Sequence, residues 1–127
     1  MLVRDPETET AAACLHMNAG SLRDPEGMNG LAHFCEHMLF LGTTAHPEEN
    51  TYAKYITANG GAKNAATAED YTYYFFNVKN EAFAGALDIF GNFFKGPLFN
   101  EDSVDREVNA VDSEFKKNLS NEARRVH

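Results

Sequence analysis

Apolar residues recur along this chain with two different periods, and the switches between them predict its elements. Ala11 to Asn18 (AAACLHMN) is a mostly apolar run ended by Gly20, which reads as a buried strand. His16 is an oddity within it and is given no functional role. The period then becomes helical: Leu31, Phe34, Met38 and Leu41 fall at i, i+3, i+7 and i+10, and Leu39 and Phe40 widen the apolar cover. Asn29 is placed to cap this helix and Gly42 to end it. Asn50 to Asn59 (NTYAKYITAN) sets Tyr52, Tyr55 and Ile56 on one face before the stop Gly60-Gly61, so a short second helix follows. Ala62 to Thr67 (AKNAAT), a turn around Glu69-Asp70 and Tyr71 to Val78 (YTYYFFNV) read as a β-hairpin. Its aromatic second strand is expected at the centre of a sheet and its small, polar first strand at an edge.

Two longer helices complete the pattern. Asn80 caps one that runs to about Phe94, with Phe83, Leu87, Phe90 and Phe94 in register and Gly96-Pro97 as its close. From Asn100 the other carries Val104, Val108, Val111, Phe115 and Leu119 within about 80° of one another. Met1 to Thr10 reads as a polar lead-in, and Ser21 to Asn29 and Thr43 to Glu49 as loops. His46 beside Pro47 in the second loop is a poor ligand candidate. The order strand, helix, helix, hairpin, helix, helix implies an α+β fold, a two-layer sandwich in which helices cover a mixed β-sheet.

Composition narrows the function classes. With 127 residues, 43% of them hydrophobic, residues 1–127 are expected to form a single globular domain. The net charge of −8 argues against binding to nucleic acid, and no basic stripe opposes that reading. Cys14 and Cys35 have no framework spacing, so a reducing compartment, the cytoplasm, is expected. Neither a signal peptide nor a membrane span is visible, and no membrane partner is expected.

Against this background the stretch His33-Phe34-Cys35-Glu36-His37 stands out. A residue advances about 100° around an α-helix, so His33 and His37 lie one turn and roughly 40° apart, able to share one ion. Glu36 falls roughly 60° to the other side of His33, within reach of a water on that ion without being a ligand. Cys35 points away at about 200°, which excludes its thiolate. H-x-x-E-H is the inverzincin order of a zinc-hydrolase motif. The bland alternative is a pair of satisfied core histidines beside a solvated Glu. A catalytic zinc takes three protein ligands and keeps a position open for water, so a third ligand must come from elsewhere. On the last helix Glu107 and Glu114 are seven residues apart, hence within about 20° of each other, and both flank the apolar stripe. Asp112 lies on the other flank. Geometry alone leaves these three carboxylates as equal candidates.

The stretch GLAHFCEHMLFLGT from Gly30 to Thr43, Asn64-Ala65, Tyr73-Tyr74-Phe75 and DREVNAVDSE from Asp105 to Glu114 together resemble the pitrilysin-type (M16) inverzincin metallopeptidases, in their insulysin branch. The resemblance spans nearly the whole chain, and several separated motifs agree in order and spacing. It implies one Zn2+ per domain, held by His33, His37 and Glu114, with Glu36 as general base and Glu107 as a carboxylate that holds a ligand histidine. It implies that Asn64, Ala65 and Ala66 form an edge strand to which a peptide substrate adds. Members of that branch usually carry an aromatic residue where this chain has Ala66. They are long chains of related α/β domains, so the 127 residues resemble a partial catalytic domain whose expected partners are peptide substrates and the missing half of the enzyme or a partner subunit. The resemblance thus implies a zinc metalloendopeptidase domain, possessing a competing reading as an inert partner module or inactive fragment. The complete set His33, Glu36, His37 and Glu114 argues against an inert module.

Overall fold

A computed structural model describes residues 1–120. The ending of the last helix expected at Arg124 to His127 lies outside the described residues. In chain order the elements are β1 (Thr10–Met17), α1 (Leu31–Leu39), α2 (Thr51–Ala58), β2 (Ala62–Thr67), β3 (Thr72–Lys79), α3 (Phe83–Lys95) and α4 (Glu101–Leu119). This is the order that the apolar periods predict, and the class is α+β.

The sheet corrects one expectation. Its order is β1-β3-β2, and both pairings are antiparallel. It is therefore not mixed. Two helices connect β1 to β2, which invites the assumption of a crossover between paired parallel strands. The two strands do run parallel, but β3 is inserted between them and pairs with both. The aromatic β3 takes the centre, and the small, polar β2 takes an edge as its composition predicts.

Alternation along β3 divides the sheet into two faces. Thr72, Tyr74, Phe76 and Val78 point into the core, where Phe76 is 0% exposed and packs with Tyr52, Ile56, Ala86, Phe90 and Phe93. On the opposite face the rings of Tyr71, Tyr73 and Phe75 stack in a row with centroids 6.0 Å apart. β1 is not the buried strand that its apolar run predicts. It is the other edge, with Ala13 and Leu15 packed against the core and alternate residues open to solvent.

The helix ends also differ from expectation. Asn29 does not cap α1; instead the Asp24 carboxylate, reaching back from the preceding loop, accepts the N–H groups of Gly30 at 2.7 Å and Ala32 at 2.8 Å. It satisfies two of the four N–H groups that a helix start leaves unpaired. Gly30 adopts φ 93°, a left-handed turn that favours glycine at the entry. α1 stops at Leu39, three residues short of Gly42. Asn80 opens a 3₁₀ turn, Asn80–Ala82, and its side-chain amide donates to the Thr8 carbonyl at 2.7 Å in place of capping α3.

α4 crosses α1, its main neighbour. Its apolar stripe is not core: Val108, Phe115 and Leu119 are exposed, and Ser103 is its one buried residue. A polar tie fixes the first turns of α4. Glu49 accepts hydrogen bonds from the Ser103 hydroxyl and from the Arg106 guanidinium, the latter at 2.9 Å. Among the described residues no helix is long and apolar enough to cross a membrane.

Two outcomes follow for stability. Phe76→Ala removes the ring at the centre of the core and lowers unfolding stability by about 3–5 kcal/mol, measured by urea titration. The Glu49 carboxyl is held below its ordinary 4.5 by the Ser103 hydroxyl first and by Arg106 second. A carboxylate with a depressed folded-state pKa stabilises above its unfolded-state value and loses that contribution as pH falls through the folded one. The stability gap between the parent chain and Glu49→Gln is therefore full above pH 4.5 and closes on acidification, as read from urea midpoints across pH.

Candidate functional site

One turn of α1 brings His33 and His37 together, with their Nε2 atoms 3.2 Å apart. α4 crosses this turn and presents two carboxylates to it. Glu114 Oε2 lies 3.0 Å from His33 Nε2, and Glu114 Oε1 lies 3.6 Å from His37 Nε2. One turn pair earlier on α4, Glu107 Oε2 lies 2.9 Å from His37 Nδ1. The two carboxylates differ in setting, since the Glu107 side chain is 14% exposed and that of Glu114 is 48% exposed. The Arg106 guanidinium lies 3.7 Å from the second Glu107 oxygen.

Glu36 turns the other way, toward the sheet. It is 8% exposed, and its Oε2 accepts a hydrogen bond of 2.5 Å from the Thr67 hydroxyl at the end of β2. The ligand atoms of His33, Glu36 and His37 nevertheless lie within 4.8 Å of one another. Cys35 packs against the core on the far side of the helix, and burial pushes its thiol pKa up.

The donor set fits a tetrahedral cation. Assigning the His37 proton to Nδ1, where it donates to Glu107, leaves a bare lone pair on Nε2. That lone pair faces His33 Nε2 and the Glu114 carboxylate, a convergence of acceptors that a cation relieves. Zinc binds imidazole nitrogen at about 2.0–2.1 Å, and a tetrahedral angle between two such bonds separates the ligand atoms by roughly 3.3 Å. The observed separations of 3.0, 3.2 and 3.6 Å bracket that value.

Other sequence candidates fall elsewhere. Asp112 is paired with Lys116 at 2.7 Å on the α4 surface. His46 pairs with Asp88 at 3.0 Å, and His16 stacks on Tyr71 with centroids 5.2 Å apart. Asn64, Ala65 and Ala66 lie on the edge strand β2, opposite Phe75, Tyr74 and Tyr73. The Asn64 side-chain oxygen accepts the N–H of Ala65 at 2.9 Å. Sequence reasoning missed Thr67 and Asp24. Thr67 carries no motif, and the Asp24-Pro25 pair signals only a turn, so the long-range partners of both emerge with the fold.

Known proteins are similar to this chain in sequence and in fold. Residues 1–127 match the family described as Insulinase (Peptidase family M16). The A-factor-processing enzyme of Saccharomyces cerevisiae is 50% identical over 127 residues, which are 100% of this chain and 12% of that protein. The insulin-degrading enzyme of Homo sapiens is 50% identical over 126 residues, 99% of this chain and 12% of that protein. A crystal structure of pitrilysin superposes with a TM-score of 0.83 at 37% identity, over 87% of this chain and 12% of the other. The chain thus spans about an eighth of the length of the curated relatives it matches.

If Glu107 orients the His37 ring, Glu107→Ala weakens zinc binding about 10–100-fold with the helical content intact. Competition with a chromophoric chelator reads the affinity and circular dichroism the fold; unchanged affinity would remove Glu107 from the site.

Proposed function

The chain belongs to the Insulinase family, Peptidase family M16, and from that premise we propose that residues 1–127 are a partial catalytic domain of a zinc metalloendopeptidase. The observation that carries the reading is the convergence of His33, His37 and Glu114 beside a buried carboxylate, Glu36, that sits outside the would-be ligand set.

In this reading His33 Nε2, His37 Nε2 and the Glu114 carboxylate hold one zinc. Bound there, zinc supplies a Lewis acid that lowers the pKa of a coordinated water toward roughly 7 and polarises a carbonyl. Glu107 fixes the His37 tautomer and ring plane through Nδ1. Glu36 takes the proton from the attacking water and delivers it to the leaving amine nitrogen of the cleaved peptide bond.

The substrate is an extended peptide that adds to the outer edge of β2 at Asn64, Ala65 and Ala66. Main-chain hydrogen bonds supply affinity in such pairing, with little demand on sequence. The internal bond from the Ala65 N–H to Asn64 supports this reading, because it gives an edge donor an acceptor until an added strand brings its own. The remainder of a longer enzyme, or a partner subunit, completes the enclosure around the peptide. Two free thiols, Cys14 and Cys35, support a reducing compartment such as the cytoplasm.

Metal analysis of the purified chain together with cleavage of a quenched fluorescent peptide tests the proposal. About one zinc per chain is expected, lost on replacing both His33 and His37. In the complete enzyme Glu36→Gln keeps the zinc while lowering the cleavage rate by about 10²–10⁴-fold, and a chelator abolishes cleavage. Metal retained without both histidines, or cleavage that persists in Glu36→Gln, would refute it.

A further inference from the structure

We infer that Thr67 is a positioning residue for Glu36, and that its hydroxyl locks the general base to the strand that receives the peptide. The inference rests on the zinc-peptidase reading and extends it to a residue that no motif marks. Thr67 is the last residue of β2 and pairs with Thr72 on β3. The two threonines divide the hydroxyl contacts at this end of the hairpin. Thr72 donates to the Ala19 carbonyl at 2.8 Å, so its hydroxyl is committed to the loop. Thr67 donates to Glu36 Oε2 at 2.5 Å, across the gap between β2 and α1.

Among the described residues this is the one hydrogen bond that holds the Glu36 carboxylate. A Glu side chain has three rotatable bonds, and a buried one without a partner gains no compensation for leaving water. The threonine suits the task because branching at Cβ makes χ1 stiff, and its backbone is pinned in the sheet by the pairing with Thr72. One oxygen of Glu36 is thereby anchored, and the other is left to work toward the histidines. The same contact joins two functions mechanically. A peptide pairing on the outer edge of β2 restrains the strand whose end carries Thr67, and that restraint passes to Glu36 through a single hydroxyl.

The test uses the purified chain with 13C-labelled glutamate and three variants. The Glu36 side-chain carboxyl resonance is assigned by its loss in Glu36→Gln. Thr67→Val, which keeps the β-branched shape and removes the donor, is expected to move that resonance, and Thr67→Ser to leave it in place. In cleavage assays of the complete enzyme Thr67→Val is expected to lower kcat roughly 10-fold or more, the effect of losing a hydrogen bond to a charged group, with KM and zinc content unchanged. Thr67→Ser is expected to restore kcat. A resonance that stays at its original position in Thr67→Val overturns the inference, as does a Thr67→Ser chain as impaired as Thr67→Val. The resonance is read without substrate, so it decides the inference even where the isolated chain cleaves nothing; the peptidase reading is overturned separately, by zinc that is retained when both His33 and His37 are replaced.

Discussion

The crossing of α4 over α1 is the contact that assembles the cluster of His33, His37, Glu107 and Glu114. α1 alone offers two imidazoles, an incomplete set for any closed or catalytic zinc centre. Only where α4 passes over that turn do Glu107 and Glu114 reach His37 and His33, which lie 70 and 81 positions earlier in the chain. No apolar side chain of α4 is fully buried at the crossing. Its first turns are fixed instead by polar ties, with Glu49 gripping Ser103 and Arg106, and its middle by the carboxylate–imidazole pairs themselves. A helix secured in this way by the groups that would bind metal gains stability when the metal binds, since a ligand that prefers the folded state shifts the folding equilibrium toward it.

The sheet plays the complementary part. β3, buried on its inner face and flanked on both sides, is the rigid member, and the aromatic cluster around Phe76 and Phe93 seats α2 and α3 against it. α1 lies between this block and α4, so its two polar edges face different neighbours. The histidines look to α4 and Glu36 looks to β2. A Glu36 carboxylate on the α4 side would crowd against Glu114 with like charge; on the sheet side the two are separated, while the Glu36 ligand atom stays within 4.8 Å of the imidazoles.

Much of this was legible in the chain itself because it depended on local period. The 3.6-residue and 2-residue patterns predicted each element in order, and the aromatic composition of Tyr71 to Val78 placed that strand at the centre. The spacing of His33, Glu36 and His37 sufficed to put them on one turn. What failed was what depends on distant partners. The buried reading of Ala11 to Asn18 requires neighbours on both sides, whereas among the described residues β1 pairs only with β3. Asn29 was a reasonable cap by type, yet a carboxylate from a loop, Asp24, reached the same N–H groups. The valines of α4 read as core because periodicity reports an apolar face and not what covers it. Choosing Glu114 over Asp112 lay beyond spacing, since both border the same stripe; the resemblance to a family singled out Glu114, and the approach of α4 to α1 brings it within 3.0 Å of His33.

β1 carries one more implication, for handling the molecule. Natural edge strands are blunted by lysine, proline, a bulge or inward charge, and Thr10–Met17 (TAAACLHM) has none of these, pairing with β3 in an unbroken register. Its outer row of amides and carbonyls is thus a template for any other extended chain, including another copy of itself. The opposing influence is the acidic surface, a net charge of −8 that keeps molecules apart at low ionic strength and is screened as salt rises. Added salt therefore weakens the repulsion that opposes strand pairing at this edge, and dilution opposes such pairing directly.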